Sequence, residues 1–433
     1  MGVLGTKASR FTKTVFVLVL LSTCIAHAQA PPADVPIEQW LRGPEREDFK
    51  WKVRILPSWL TFQQRHAVQV RAEFHLRELR KRGISVDDLH MALKVATPDG
   101  EWLPGQAYSK LEIKSEYGKE IETVATLYAR PGKYSLALIA YDSRNQRGNL
   151  WRGSLTVPGV KNDPLPDSDS SLPVIQFLPH ATLARAQGRI GAHRIFFDAS
   201  AFGQGKMTLP VRNDRPVQID ILANVSLSDA LNLPNRQAPD WLYKINADTL
   251  LQASNVLSQL DPKKGCVRFS AMDILRQKAF VDRQDATHLD WNEIVKQVQE
   301  LQRVKIEARV LANQKQTAEL FAKYIDQLLE TPGCDFTEPP IHVLIVMGDA
   351  FVFPTRTVMR PVQSHPDTRA YYLKLMPIGA GNWDQVENLL RPLHPTRFEF
   401  ASSLRFREIL ATLITRIQDV SHPQALQAGS NAH

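Results

Sequence analysis

Ile219-Asp220-Ile221-Leu222-Ala223-Asn224-Val225-Ser226-Leu227-Ser228 is an apolar run that breaks into an Asn-x-Ser-x-Ser loop. A run this apolar reads as a strand buried on both faces, the kind found in parallel sheets. A second run, Ile341-His342-Val343-Leu344-Ile345-Val346-Met347, lies far downstream and ends in Gly348-Asp349. In open α/β sheets, ligands gather outside the carboxyl ends of the strands. Two such ends, one with hydroxyls and an amide and the other with a carboxylate, could converge on a hard cation such as Mg2+, Mn2+ or Ca2+, which takes oxygen ligands.

Around these runs the chain alternates strands and helices from Pro216 onward. Val217–Val225 reads as the first strand, followed by a helix over Thr249–Leu260. Cys266–Met272 and Ala279–Val281 follow as strands. Trp291–Val304 carries an apolar stripe of Ile294, Val295, Val298 and Leu301, and Thr317–Leu329 is a second helix stopped by Pro332-Gly333. Ile341–Met347 is the central strand, Tyr371–Met376 the next, and Phe406–Val420 a closing helix. Such alternation marks a mostly parallel, Rossmann-like sheet covered by helices.

The chain ahead of Pro216 reads differently. Val68, Val70, Ala72 and Phe74 alternate with Gln69, Arg71 and Glu73; Met91–Val95 repeats the pattern, and Pro98-Asp99-Gly100 supplies a turn. Leu76–Arg82 is a helical connection, and Ser135–Asp142 and Arg152–Val157 are further strands. Residues 49–158 therefore predict a β-sandwich of immunoglobulin or fibronectin kind. Residues 159–173, rich in Pro, Ser and Asp, predict a linker. Residues 174–215 carry short strand patterns at Ile175–Leu178, Arg194–Phe197 and Met207–Val211, and their assignment stays open.

At the N-terminus, Lys7, Arg10 and Lys13 precede the apolar Val15–Leu21, and Ala26-His27-Ala28 gives a small-x-small cleavage pattern. Residues 1–28 thus predict a secretory signal peptide, 29–48 an exposed spacer and 421–433 a frayed tail. No later segment offers the ~18 consecutive apolar residues of a membrane anchor. Removing the leader takes three of the 53 basic residues and none of the 45 acidic ones, so the +8 balance falls by three. That mild excess suits weak attraction to an anionic envelope surface and gives no basic stretch for nucleic acid. A periplasmic or extracellular protein is expected.

The element order over residues 216–420, with its Asn-x-Ser-x-Ser and Gly-Asp strand ends, resembles the von Willebrand factor type A domain. The layout of leader, β-domain, Pro-rich linker and this domain is similar to acidobacterial VWFA-related exported proteins. The resemblance implies a metal-ion-dependent adhesion site of pattern Asp-x-Ser-x-Ser, then a Thr, then an Asp. Carried over, these positions are Asn224, Ser226, Ser228, a threonine and Asp349. Thr287 and Thr317 compete for the fourth place; Thr317 is preferred because it opens the helix leading to the strand that ends at Asp349. Asn224 keeps an oxygen but removes one unit of charge. At about 4 Å and an effective dielectric of about 20, that charge is worth on the order of 4 kcal/mol with a monovalent partner. The site therefore reads as degenerate, with Asp220 and Asp229 as nearby carboxylates.

In the type A fold the second and fourth strands start at the same end. Cys266 begins one and Cys334 precedes the other, so the resemblance implies either a bridge or two small buried thiols. Phe351 and Phe353 follow Asp349 closely and offer either an apolar lip for a partner or a tucked loop. No Gly-x-Ser-x-Gly, His-Glu-x-x-His or phosphate-cradling glycine loop occurs, and His342 inside an apolar strand reads as a core residue. The expected function is non-catalytic binding of another protein at the sheet rim. Its rivals are a structural envelope component and an envelope hydrolase.

Overall fold

The computed structural model describes residues 36–111, 120–178, 181–185, 205–226, 240–303, 314–349, 360–365, 367–376 and 384–421. The expected signal peptide, Ser228, Asp229, Phe351, Phe353, the expected strand at Arg194–Phe197 and the tail from 422 onward lie outside them. No helix among the described residues is long and apolar enough to cross a membrane.

The N-terminal part begins with α1 (Ile37–Arg42), β1 (Arg46–Glu47), β2 (Trp51–Ile55), β3 (Trp59–Leu60), β4 (His66–His75) and α2 (Leu76–Lys81). It continues with β5 (Leu89–Ala96), β6 (Ala107–Lys110), β7 (Glu120–Ala129), β8 (Gly132–Asp142), β9 (Arg147–Val157), β10 (Ile175–Phe177) and β11 (Ala181–Arg185). One antiparallel sheet runs β1-β9-β8-β5-β6; a second runs β10-β7-β4-β2, with β11 also on β7 and β3 also on β4. Val68, Val70, Ala72 and Phe74 share one apolar cluster with Met91, Leu93, Leu136, Leu138 and Leu155 from the other sheet. The period-2 alternation of β4 buries that face because successive side chains on a strand point to opposite sides.

Two expectations about the flanks of this part are corrected. Residues 36–48 are not a spacer: Ile37 and Leu41 of α1 pack on Ala137, Ile139, Tyr141 and Leu150, and β1 pairs with β9. Six helical residues are too few for periodicity to announce them; burial against the first sheet sustains them. Nor does the N-terminal part end before residues 159–173, since β10 and β11 return to pair with β7. The backbone amides that hold these short strands in the sheet belong to a partner far away in sequence, so no local pattern reveals the pairing.

The C-terminal part comprises β12 (Leu209–Val211), β13 (Val217–Asn224), α3 (Asp240–Leu257), β14 (Leu260–Pro262), β15 (Gly265–Asp273), β16 (Lys278–Asp285), α4 (Trp291–Arg303) and α5 (Gln314–Glu330). It closes with β17 (Ile341–Asp349), β18 (Thr368–Leu375), α6 (Gln385–Leu390), β19 (Thr396–Phe400) and α7 (Ser403–Ser421). Its main sheet runs β16-β15-β13-β17-β18-β19. All its pairs are parallel except β15 with β16. β12 pairs with β14 in a separate two-stranded sheet, so the open segment 174–215 is divided between the two parts. Ile219, Ile221 and Ala223 face a cluster with α3, α4 and α7. Leu222, Leu344 and Val346 face another with Ala318, Phe321 and Ile325 of α5 and Leu389 of α6. Two apolar faces explain why β13 and β17 read as continuous rather than alternating runs.

The expected linker is fastened. The guanidinium of Arg407 on α7, only 1% exposed, donates from Nε to Asp163 Oδ1 at 2.6 Å and from Nη2 to Asp163 Oδ2 at 2.8 Å. The same Nη2 reaches Leu165 O and Ser168 Oγ, each at 2.9 Å. Phe62, between β3 and β4, packs on Phe400 and Phe406, and Ser403 Oγ donates to Leu60 O at 2.7 Å. The two parts are therefore stitched together through α7.

Cys266 and Cys334 form a disulfide, Cα to Cα 6.6 Å, closing a sequence separation of 68 residues. Cys266 is the second residue of β15, so the bridge sits at the end of the sheet away from the ends of β13 and β17. By the loop-closure account, reducing it should cost about 2–4 kcal/mol. Urea unfolding with and without reductant checks this: equal midpoints would mean that the bridge contributes nothing to stability.

Candidate functional site

Parallel pairing aligns the ends of five strands. Asn224 is the register partner of both Met272 and Gly348, Gly348 of Lys374, and Lys374 of Glu399. The segments around 224–226 and 349 are therefore neighbours on one edge of the sheet. Asn224, Ser226, Thr317 and Asp349 are all buried there, each at most 2% exposed.

The hydrogen bonds show what these residues do. Asn224 Oδ1 accepts from the backbone of Ser226 at 3.1 Å and of Ile274 at 3.4 Å. The opposite amide orientation would set the NH2 group against two N–H donors, so the network fixes which atom faces where. Asn224 Nδ2 is buried and finds no acceptor among the described residues. Ser226 Oγ donates to Asp273 Oδ1 at 3.0 Å and accepts from the Leu275 amide at 3.1 Å. Thr317, in the first turn of α5, accepts from Gln277 Nε2 at 2.7 Å. The turn from Asp273 to Gln277 that joins β15 to β16 thus engages oxygens on Asn224, Ser226 and Thr317.

Thr287 stands elsewhere. It is exposed and tied to Asp285, which accepts from its backbone at 2.8 Å and from its hydroxyl at 2.6 Å. Asp285 pairs with Arg268, itself the register partner of Asp220, four residues before Asn224. At about 3.3 Å per residue that is roughly 13 Å from the rim. Asp220 is equally removed from the site, because both its oxygens bind the Arg268 guanidinium, at 2.6 and 2.9 Å.

A group that sequence reasoning missed completes the edge. Lys374 is fully buried, and its ammonium lies 3.5 Å from Asp384 Oδ2. Asp384 caps α6, accepting from Val386 N at 3.1 Å, and also accepts from Tyr372 OH at 2.6 Å. Burial, reinforced by the charges of Asp384 and Asp349, raises the Tyr372 phenol well above its ordinary value. A lysine inside Ala370-Tyr371-Tyr372-Leu373-Lys374-Leu375, and an Asp just before a short apolar helix, were the signals available.

Among the described residues of the carried-over set, the oxygens on Asn224, Ser226 and Thr317 are already engaged within the protein. A hard dication wants free oxygen lone pairs. At position 224 the remaining side-chain atom is a donor. An aspartate could accept the same two amides and still offer its second oxygen; asparagine offers an NH2 group instead. No protein-family model matches the chain, and no curated protein does.

Proposed function

We propose that this is an exported, non-catalytic binding protein of type A kind, preceded by an immunoglobulin- or fibronectin-like β-sandwich, which holds a partner protein at the rim where β13, β17 and β18 end. One observation carries the reading: Asn224 and Gly348, far apart in sequence, are register partners on adjacent parallel strands. Strand ends of this kind are where open α/β sheets gather ligands. The helices on both faces of the sheet support the type A assignment, and the apolar cluster shared by the two antiparallel sheets supports the sandwich. The leader at residues 1–28 supports export.

The test is positional. A photo-crosslinking residue is placed at Ser228 or Phe353, which follow β13 and β17 in the chain, and at exposed Glu338 ahead of β17 as a control. In native envelopes, positions 228 and 353 should give a common protein adduct that position 338 does not. Absence of rim-specific adducts would favour a structural envelope component and end the docking proposal.

A further inference from the structure

Asn224, Gly348 and Lys374 occupy one row across three neighbouring strands. Register partners in a parallel sheet direct their side chains to the same face, and strands lie about 4.8 Å apart. Asn224 and Lys374 therefore flank Gly348 from backbones roughly 10 Å apart. The glycine leaves that row open: a Cβ at 348 would lie 3.4 Å from Asn224 Cβ. On the type A reading, this edge is where a divalent ion would sit, yet the oxygens on Asn224, Ser226 and Thr317 are already hydrogen-bonded within the protein.

The edge offers a cation of its own. The Lys374 side chain is 0% exposed, as is its counter-ion Asp384. An ammonium is strongly hydrated, and burying it is costly unless a carboxylate answers it. Asp384 does so while also accepting from Tyr372 and from the Val386 amide of α6. Asp349 adds a second negative charge felt at Tyr372.

We infer that Lys374 is the resident cation of this rim: its ammonium, carried by β18 in the row of Gly348 and Asn224 and paired with Asp384, supplies the positive charge that a bound dication would otherwise bring. Asn224 is the matching change, since removing a carboxylate lowers the demand for positive charge by one unit. The inference rests on the type A reading and makes a specific addition to it: the rim engages its partner without divalent metal.

Calorimetric titration of the purified protein with Mn2+ and Mg2+, alongside thermal unfolding in metal or EDTA, tests this. The wild-type protein should give no saturable heat and the same Tm throughout. Asn224→Asp should bind no metal while Lys374 is present. The double variant Asn224→Asp/Lys374→Ser, with a carboxylate restored and the ammonium removed, should gain an Mn2+-dependent rise in Tm that EDTA reverses. Lys374→Met, which removes the ammonium paired with Asp384, should lower Tm by several degrees.

Saturable Mn2+ binding by the wild-type protein or by Asn224→Asp overturns the inference, as does an unchanged Tm in Lys374→Met. If a Lys374 variant fails to fold, the wild-type and Asn224→Asp titrations decide alone. The result is separable from the docking test. A metal-silent protein without rim adducts leaves the resident cation standing and removes the partner; rim adducts from a protein that binds Mn2+ do the reverse.

Discussion

Arg407→Met should lower the unfolding free energy by about 3 kcal/mol, the lower end of what breaking a buried ion pair costs. The lower end applies because Asp163 and Asp169 are each 19% exposed at the side chain, so water relieves part of their lost partnership. Burial opposes the charge on Arg407, but the hydrogen bond to Asp163 and the charges of Asp169 and Asp163 outweigh it and hold the guanidinium above its ordinary value. Methionine fills much of the stem's volume, so the loss reports the charged head rather than a cavity. Guanidinium-free unfolding in urea measures it.

The same contact sets a pH dependence. Burial alone would raise Asp163, but hydrogen bonds from Arg407 and the Leu165 amide, with the Arg407 charge, hold it below its ordinary value. A carboxylate lowered in the folded state contributes stability that is complete above the unfolded value of about 3.9 and fades as the pH falls through the folded one. Wild-type stability should therefore drop more steeply than that of Arg407→Met as the pH is taken below about 3.9. Parallel acid limbs would show that Asp163 gains nothing from Arg407.

Why the fastening escaped sequence reading is physical. Asp163 and Arg407 are 244 residues apart, and Lys161–Ser171 has the composition of an exposed linker because its polar groups are satisfied only from outside. Elements that satisfy themselves were legible. β13 and β17 announce themselves as apolar runs, and α4 and α5 as amphipathic stripes. β19 was missed although Thr396-Arg397-Phe398-Glu399-Phe400 alternates, because five residues carry little weight just after Pro392 and Pro395. At the site, the pattern located the strand ends but not their chemistry. Ser226 looks like a ligand until Asp273, 47 residues on, takes its hydroxyl. Lys374 looks like one polar break in a strand until Asp384, the cap of the next helix, arrives beside it.

Asp220→Leu should cost about 3–5 kcal/mol, the larger of the two losses, because both partners of this pair are nearly inaccessible. Arg268 and Asp220 are 6% and 2% exposed at the side chain. The guanidinium also donates from Nη2 to Leu328 O and Thr331 O, each at 3.1 Å, satisfying carbonyls at the end of α5. Gln218 donates to Asp220 at 2.8 Å and accepts from Gly333 N at 2.8 Å, tying in the chain just before Cys334. Glycine is needed at 333, since a Cβ there would lie 2.6 Å from Arg268 Nε.

Removing Asp220 leaves a buried cation with carbonyls alone. Removing both charges leaves only the α5 carbonyls and Gln218 to find other partners, worth about 1–3 kcal/mol per unsatisfied group. The double variant Asp220→Leu/Arg268→Met should therefore be markedly more stable than the two single losses added together, with a coupling of at least about 1 kcal/mol. Additive losses in urea unfolding would mean that each side chain acts through separate neighbours, Asp220 through Gln218 and Arg268 through α5. The pair would then not be the unit that holds β13 to β15 beneath the rim.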